Sequence, residues 1–365
     1  MMAGNRTMVK TLRCLCFLLF WLNCWASGDE FLLSVDAYSG PGNKIETTAR
    51  LRLNGDRIGG NLASLSPSGI SHAADSAFIS LMNALEAGDR TSILEMIDSE
   101  ITNRQDPSSS IRFADFFAKQ REVFRSDNLH VDYRLNCGNS VWYLMHSHDG
   151  KLDGVVYTFR ARNGGYLWDL SESHLSGIIQ MSFDRLDEYR IPLLRADTYA
   201  LPSGCAVISC DESTNNPAIL YVDLIQLDDE VSASFPEAKR LSLIEAFSVF
   251  QSNLPERDFD AFISNHAPEY RESIERQRET YWSMNSHWHQ PVHIRCIAGL
   301  DPLYIVWYSY PGRTRLFNRQ FIYDDDSKRF LVTNVNHTFP LLTLLEQCLV
   351  EGRFRFDCDQ QLAPE

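Results

Sequence analysis

The octapeptide KQREVFRS, Lys119–Ser126, returns in altered form as RQRETYWS, Arg276–Ser283. Self-similarity in a fixed order marks a duplicated structural unit, so the echo should extend beyond eight residues. It does. Upstream, LSVD at Leu33 answers ISCD at Ile208, and the runs TTARLRL and LYVDLIQL follow them. AFISLMNALEAGDRTSILEMI, beginning at Ala77, aligns without a gap with AFSVFQSNLPERDFDAFISNH, beginning at Ala246. The first copy then carries extra residues, RQDPSSS among them, before its octapeptide. Downstream, VDYRLNC pairs with VHIRC, VWYLMHS with YIVWYS, and VVYTFRARNGGYLWDL with FNRQFIYDDDSKRFLV. No single match is specific; their shared order identifies the duplication.

Local patterns give matching elements the same type. Phe78, Leu81, Met82 and Leu85 follow the i, i+3, i+4, i+7 spacing of an amphipathic helix, as do Leu243, Ala246, Phe247 and Phe250. Gly88 is placed to end the first of these helices, and Ser92 with Glu95 reads as a capping box opening a second. Phe113, Phe116, Phe117, Gln120 and Phe124 share one face of an expected third helix. The turn signals NGG at Asn163 and DDDS at Asp324 separate β-rich runs. Each copy therefore reads as a strand pair, three helices and four mostly antiparallel strands.

That order, with the phrase NALEAGD at Asn83–Asp89, resembles the nuclear transport factor 2-like superfamily over about Ser71–Leu175 and Leu241–Phe339. The resemblance implies an α+β chain of two tandem cone-like domains. Each would pack three helices on a curved, mostly antiparallel sheet with a pocket at its mouth, and each is preceded by an extra strand pair. It further implies an internal pseudo-dimer joined through the sheets. The expected boundaries are a signal peptide at 1–26, copies at 30–190 and 198–345, and a C-terminal tail at 346–365.

The leader expectation rests on Arg6, Lys10 and Arg13 ahead of an apolar run from Cys14 to Trp25 and the small residues Ala26 and Ser27. That run is shorter than the roughly 20 residues a spanning helix needs. The expected product is secreted or periplasmic, without membrane insertion after cleavage. It would keep 31 Lys and Arg against 48 Asp and Glu, a net charge near −17. So acidic a surface repels phosphate backbones, which excludes nucleic acid as the expected partner. Cys137, Cys205, Cys210, Cys296, Cys348 and Cys358 remain, and in an oxidising compartment they permit disulfides. Cys205 with Cys210, and Cys348 with Cys358, are the local options.

Gln120 and Gln277 fall on the apolar face of the third helix, where an amide needs partners or costs about 1–3 kcal/mol. Both are candidate ligand contacts, with His146, Trp168 and Tyr308. Alternation in VDYRLNC sets Val131, Tyr133 and Leu135 on one face and Arg134 on the other, toward solvent or the partner repeat, with Arg295 as its counterpart. His146 and His148 share a strand face, and His287, His289 and His293 are evenly spaced. Alternate strand histidines can share a metal. Pro291 interrupts the second set and no carboxylate or cysteine completes it in sequence, so neither a metal nor a cofactor is expected. Serine-hydrolase, zincin, P-loop and dinucleotide motifs are absent, and no catalytic residue carries over from the resemblance. The expected function is a non-enzymatic module binding a small apolar ligand or an exported protein. The alternative is a cofactor-independent lyase, isomerase or hydrolase using one cone.

Overall fold

The computed structural model describes residues 29–38, 44–65, 73–98, 107–119, 121, 123–150, 154–170, 174–183, 201–208, 216–256, 258–280, 291–333, 339–356 and 358. The expected leader lies outside these residues. The first half contains β1 (Asp29–Ser34), β2 (Ala37–Tyr38), β3 (Lys44–Ile45), β4 (Arg50–Gly60) and a 3-10 turn at Leu62–Leu65. Helices α1 (Ala73–Ala87), α2 (Arg90–Met96) and α3 (Pro107–Ala118) follow. Then come β5 (Leu129–Cys137), β6 (Ser140–Ser147), β7 (Val155–Arg162), β8 (Gly165–Trp168) and α4 (His174–Phe183). The second half contains β9 (Gly204–Ile208), β10 (Ala218–Leu227), β11 (Glu230–Val231), α5 (Glu237–Glu256), α6 (Phe259–Ser264) and α7 (Pro268–Arg276). It continues with β12 (His293–Leu300), β13 (Leu303–Ser309), β14 (Phe317–Asp324), β15 (Arg329–Thr333), α8 (Phe339–Val350) and β16 (Phe354–Arg355).

The fold is mixed α/β around a large, open, antiparallel sheet. Its strand path, β15-β14-β13-β12-β10-β4-β5-β6-β7-β8, reads alike from both ends. At its centre Leu220 pairs with Leu51, flanked by Ile219 with Arg52 and Tyr221 with Arg50. β1 pairs with β4 as β9 pairs with β10.

Register assigns matching positions in the two halves and corrects the alignment read from sequence. Leu33 stands across from Leu51, and Ala206 across from Leu220, so Leu33 matches Ala206 rather than Ile208. In β5 the pairing jumps from Val131–Met145 to Tyr133–Leu144, and in β12 from Ile294–Tyr308 to Cys296–Trp307. Each jump is a β-bulge, which adds one residue and reverses the face on which the next side chain lies. Asp132 is the bulged residue of one half and Arg295 of the other, so Arg134 matches Ile297. Val131 accordingly packs with the helices of its half while Leu135 packs on the opposite face of the sheet.

Three cores result. One face of the sheet carries Leu51, Leu53, Trp142, Leu220, Val222 and Trp307 from both halves, covered by Ile178 and Ile179 of α4 and Leu344 and Leu345 of α8. The other face buries α1 to α3 in one core and α5 to α7 in another. Phe78, Leu81, Met82 and Leu85 are all buried, as their spacing predicts. Gly88 ends α1 with φ +66°, a conformation costly for a side chain, and its Cβ position is within 3.0 Å of the Ala118 carbonyl. Asp89, not Ser92, caps α2, accepting from the Thr91 and Ser92 amides; Asp258 caps α6 in the same way through Ala261. Asn163 and Gly164, both at positive φ, form the expected two-residue turn between β7 and β8.

Other expectations are corrected. Helix α3 stops at Ala118, so KQREVFRS lies beyond it, and Phe116 is exposed rather than in the core. Residues 346–350 belong to α8 and Phe354 pairs with Ala206, so these residues are part of the second half rather than a tail. Cys205 bonds to Cys358, 153 positions further along the chain, with Cα atoms 6.2 Å apart, and Cys348 is a buried thiol. Cys210 lies outside the described residues. No helix among the described residues is long and apolar enough to cross a membrane.

A cross-link over so long a segment restricts the unfolded chain. Cys358→Ser is therefore expected to lower the unfolding free energy by about 2–4 kcal/mol. The check is urea unfolding of both proteins under oxidising conditions, with the difference disappearing when both are reduced.

Candidate functional site

The parallel bridges Ile97–Trp168 and His266–Val332 fix how the interiors of the two halves correspond. With the two aspartate caps and the β6–β7 and β13–β14 registers, they match Met82 with Gln251, Ile97 with His266, Tyr157 with Arg319, and Asp169 with Thr333.

The first interior is filled. Phe78 stacks on Tyr143 at 4.1 Å between ring centroids, and meets Phe159 edge-on at 5.9 Å. Trp168 closes the other end against Phe117 at 5.1 Å and Tyr157 at 5.6 Å. Offset or edge-on contacts like these add about 0.5–1.5 kcal/mol beyond area burial.

Polar groups enter the second interior at the matching places. His266, fully buried between α6 and α7, donates from Nδ1 to the Phe262 carbonyl at 2.9 Å. Its ring lies 4.6 Å from Phe262 and 5.7 Å from Tyr270. Burial, aided by the charges of Arg319 and Arg271, pushes its pKa down to about 3, so the imidazole is neutral at physiological pH. Arg319 sets its guanidinium 4.4 Å from the centre of the Phe250 ring. Tyr310 is buried beside Tyr308, and burial raises its hydroxyl pKa. Gln251 lies four residues after Phe247 on the buried stripe of α5. Its amide nitrogen is buried and finds no hydrogen-bond partner among the described residues. A neutral imidazole, a primary amide, a cation and a phenol on aromatic walls can hold a small, acceptor-bearing molecule. A base near pKa 3 is a poor proton acceptor at neutral pH, because general bases work best with pKa near the working pH.

The chain matches no family model, no curated protein and no solved structure.

Of the residues expected to touch ligand, Tyr308 lies in this second core, at 5.1 Å from Phe247. Trp168 belongs to the filled first core. Gln277 is exposed at the turn that follows α7, and the helical residues 278–280 beyond it are exposed as well. Gln120, His287 and His289 lie outside the described residues. His146 is on the opposite face of the sheet from the helices, beside His130 and Asp132; the carboxylate missing from the local sequence comes from the neighbouring strand. Gln251, His266 and Arg319 were missed. The signal was present in the gapless alignment, where Gln251 replaces a core methionine and His266 a core isoleucine.

Arg134 is also corrected. Instead of facing solvent, it bonds Asp75 of α1 and Asp56 of β4, and the Tyr143 hydroxyl donates to Asp75 at 2.6 Å. Burial works against the guanidinium charge, but the hydrogen bonds to Asp75 and Asp56 outweigh it and raise the pKa. Burial, then the Asp75 charge, raises that of Tyr143. The second half places Ile225, Ile244, Ile297 and Val306 at these four positions. A buried ion pair is often no more stabilising than well-packed apolar residues, whereas stripping one partner strands a charge. Arg134→Leu alone is expected to cost about 3 kcal/mol. The combined Asp56→Ile, Asp75→Leu, Arg134→Leu, Tyr143→Phe protein, which keeps the ring stacked on Phe78, should recover most of that loss in thermal unfolding.

For His266, the unfolded chain takes up a proton below about pH 6.5 that the folded chain refuses until about pH 3, so stability falls with pH across that window. Replacing it with isoleucine, the first-half residue, should remove roughly 2–3 kcal/mol of acid-induced loss between about pH 7 and about pH 4.5. Urea unfolding at the two pH values checks this.

Proposed function

We propose that this chain is an exported ligand-binding protein. It would consist of two fused cone-like units of the nuclear transport factor 2-like kind, the first filled and structural, the second binding a small, largely apolar molecule. The buried Gln251 amide carries this reading. A core position matched by methionine in the first half holds a donor with no partner among the described residues, at a cost of about 1–3 kcal/mol if nothing answers it. The positive charge of Arg319 at this core favours a ligand with an electron-rich polar end, and Phe247, Phe250 and Tyr308 favour an apolar body. Disulfide Cys205–Cys358 fits an oxidising compartment. The neutral His266 supports binding over base catalysis, so the lyase, isomerase or hydrolase alternative is not favoured.

Native mass spectrometry of the full chain, expressed for export and compared with its denatured mass, tests the reading. The expected result is a discrete added mass lost on denaturation. Gln251→Leu should keep or raise thermal stability while losing that mass. No added mass in the parent protein, together with a stabilised Gln251→Leu, would mean that the second interior is a filled core like the first.

A further inference from the structure

On the face of the sheet away from α1 to α3, the bulge in β5 brings three metal-ligating side chains together. His130 and His146 stand directly opposite each other in the β5–β6 register, and Asp132 is the extra residue of the bulge. The Asp132 carboxylate reaches both rings, with Oδ1 3.1 Å from Nδ1 of His130 and Oδ2 2.7 Å from Nδ1 of His146. The imidazoles are inclined to each other by 30° with centroids 4.7 Å apart. One donor atom from each of the three residues lies within 4.8 Å of the others. Side-chain exposure is only 25%, 28% and 15% for His130, Asp132 and His146, so the donors are held in place yet open to an ion from solvent.

We propose that His130, Asp132 and His146 form a divalent transition-metal site, with zinc as the best-matched ion. Two imidazole nitrogens and one carboxylate oxygen are the donor types zinc takes, at bonds of about 2.0–2.2 Å. Ligand atoms around a tetrahedral ion at that bond length are roughly 3.3 Å apart. The aspartate–histidine separations, 3.1 and 2.7 Å, fall short of this by about 0.2 and 0.6 Å, so side-chain rotation within the cluster is enough to admit the ion in those pairs. Three protein ligands leave the fourth position for water or an incoming group. His148, its ring 5.8 Å from His130 and 6.0 Å from His146, flanks that opening.

The duplicate supplies an internal control. Its bulge has the same form, but His293, Arg295 and Ser309 occupy the three positions, and Arg295 pairs with Asp228 at 2.7 Å. A cation at the bulge repels a metal ion, so the backbone geometry does not by itself create the site. The donor set belongs to the first half alone.

The full chain, dialysed against chelator and returned to a weakly coordinating buffer, is titrated with zinc chloride by calorimetry and with cobalt chloride by visible absorption. One strong zinc equivalent per chain and the intense d–d bands of four-coordinate cobalt are expected. Asp132→Asn, which keeps the shape of the side chain, should weaken zinc binding at least tenfold, and His146→Gln should do the same. Thermal unfolding shows whether each variant is folded, and the parent should melt higher with zinc than without. Failure of the parent to bind zinc above a millimolar background would overturn the proposal. So would binding that survives in folded Asp132→Asn and His146→Gln. Should His146→Gln fail to fold, Asp132→Asn alone decides. The site is remote from the second-half interior, so loss of zinc leaves the ligand-binding reading untouched.

Discussion

Three backbone pairs hold the two halves in one sheet: Ile219 with Arg52, Leu220 with Leu51, and Tyr221 with Arg50. Neither β4 nor β10 can shift against the other by one residue without turning Leu51 and Leu220 out of the shared core, because side chains alternate along a strand. The bonds from the Gly138 amide to the Asn216 carbonyl and from the Thr48 amide to the Asp301 carbonyl, both donated by the first half, lock the same register at both ends of the junction. With that register set, α4 and α8 find one continuous apolar surface to cover, and the two helical layers are left on the other side, each over its own half.

The halves have kept their backbone plan and exchanged their polarity. Near α1, the first spends charged groups on a closed network of Arg134, Asp56, Asp75 and Tyr143, where the second has aliphatic residues. Deeper inside, the first is apolar and aromatic, whereas the second admits an amide, an imidazole and a guanidinium. One copy can thus secure the shared sheet while the other tolerates the less favourable packing that a polar interior demands. The bulges show the same divergence on the opposite face: one backbone irregularity presents a carboxylate between two histidines in one half and a cation in the other.

Much of this plan was legible in the sequence because it is local. The stripe of Phe78, Leu81, Met82 and Leu85, the Asn163–Gly164 turn and the order of elements each depend on neighbours a few residues apart. What escaped depends on contacts across the sheet. A bulge leaves no mark in a run such as VDYRLNC, so the alternation that sent Arg134 toward solvent failed at Asp132. The same slip paired Arg134 with Arg295 and hid the meeting of Asp132 with His146 on another strand. Gln277 lies at a turn between helical residues, on a stretch that faces solvent on both sides of it. The partner of Cys205 lies at the far end of the second half, where spacing rules offer no guidance.

That cysteine pair has a consequence for how the chain responds to cleavage. The bond between Cys205 and Cys358 encloses nearly all of the second half in a covalent ring, while the first half lies wholly outside it. A single cut in a loop of the second half leaves both pieces tethered, so they can re-dock as an intramolecular event. The same cut in the first half yields fragments held only by their contacts. The half with the polar interior is therefore the one the chain has made tolerant of a broken backbone.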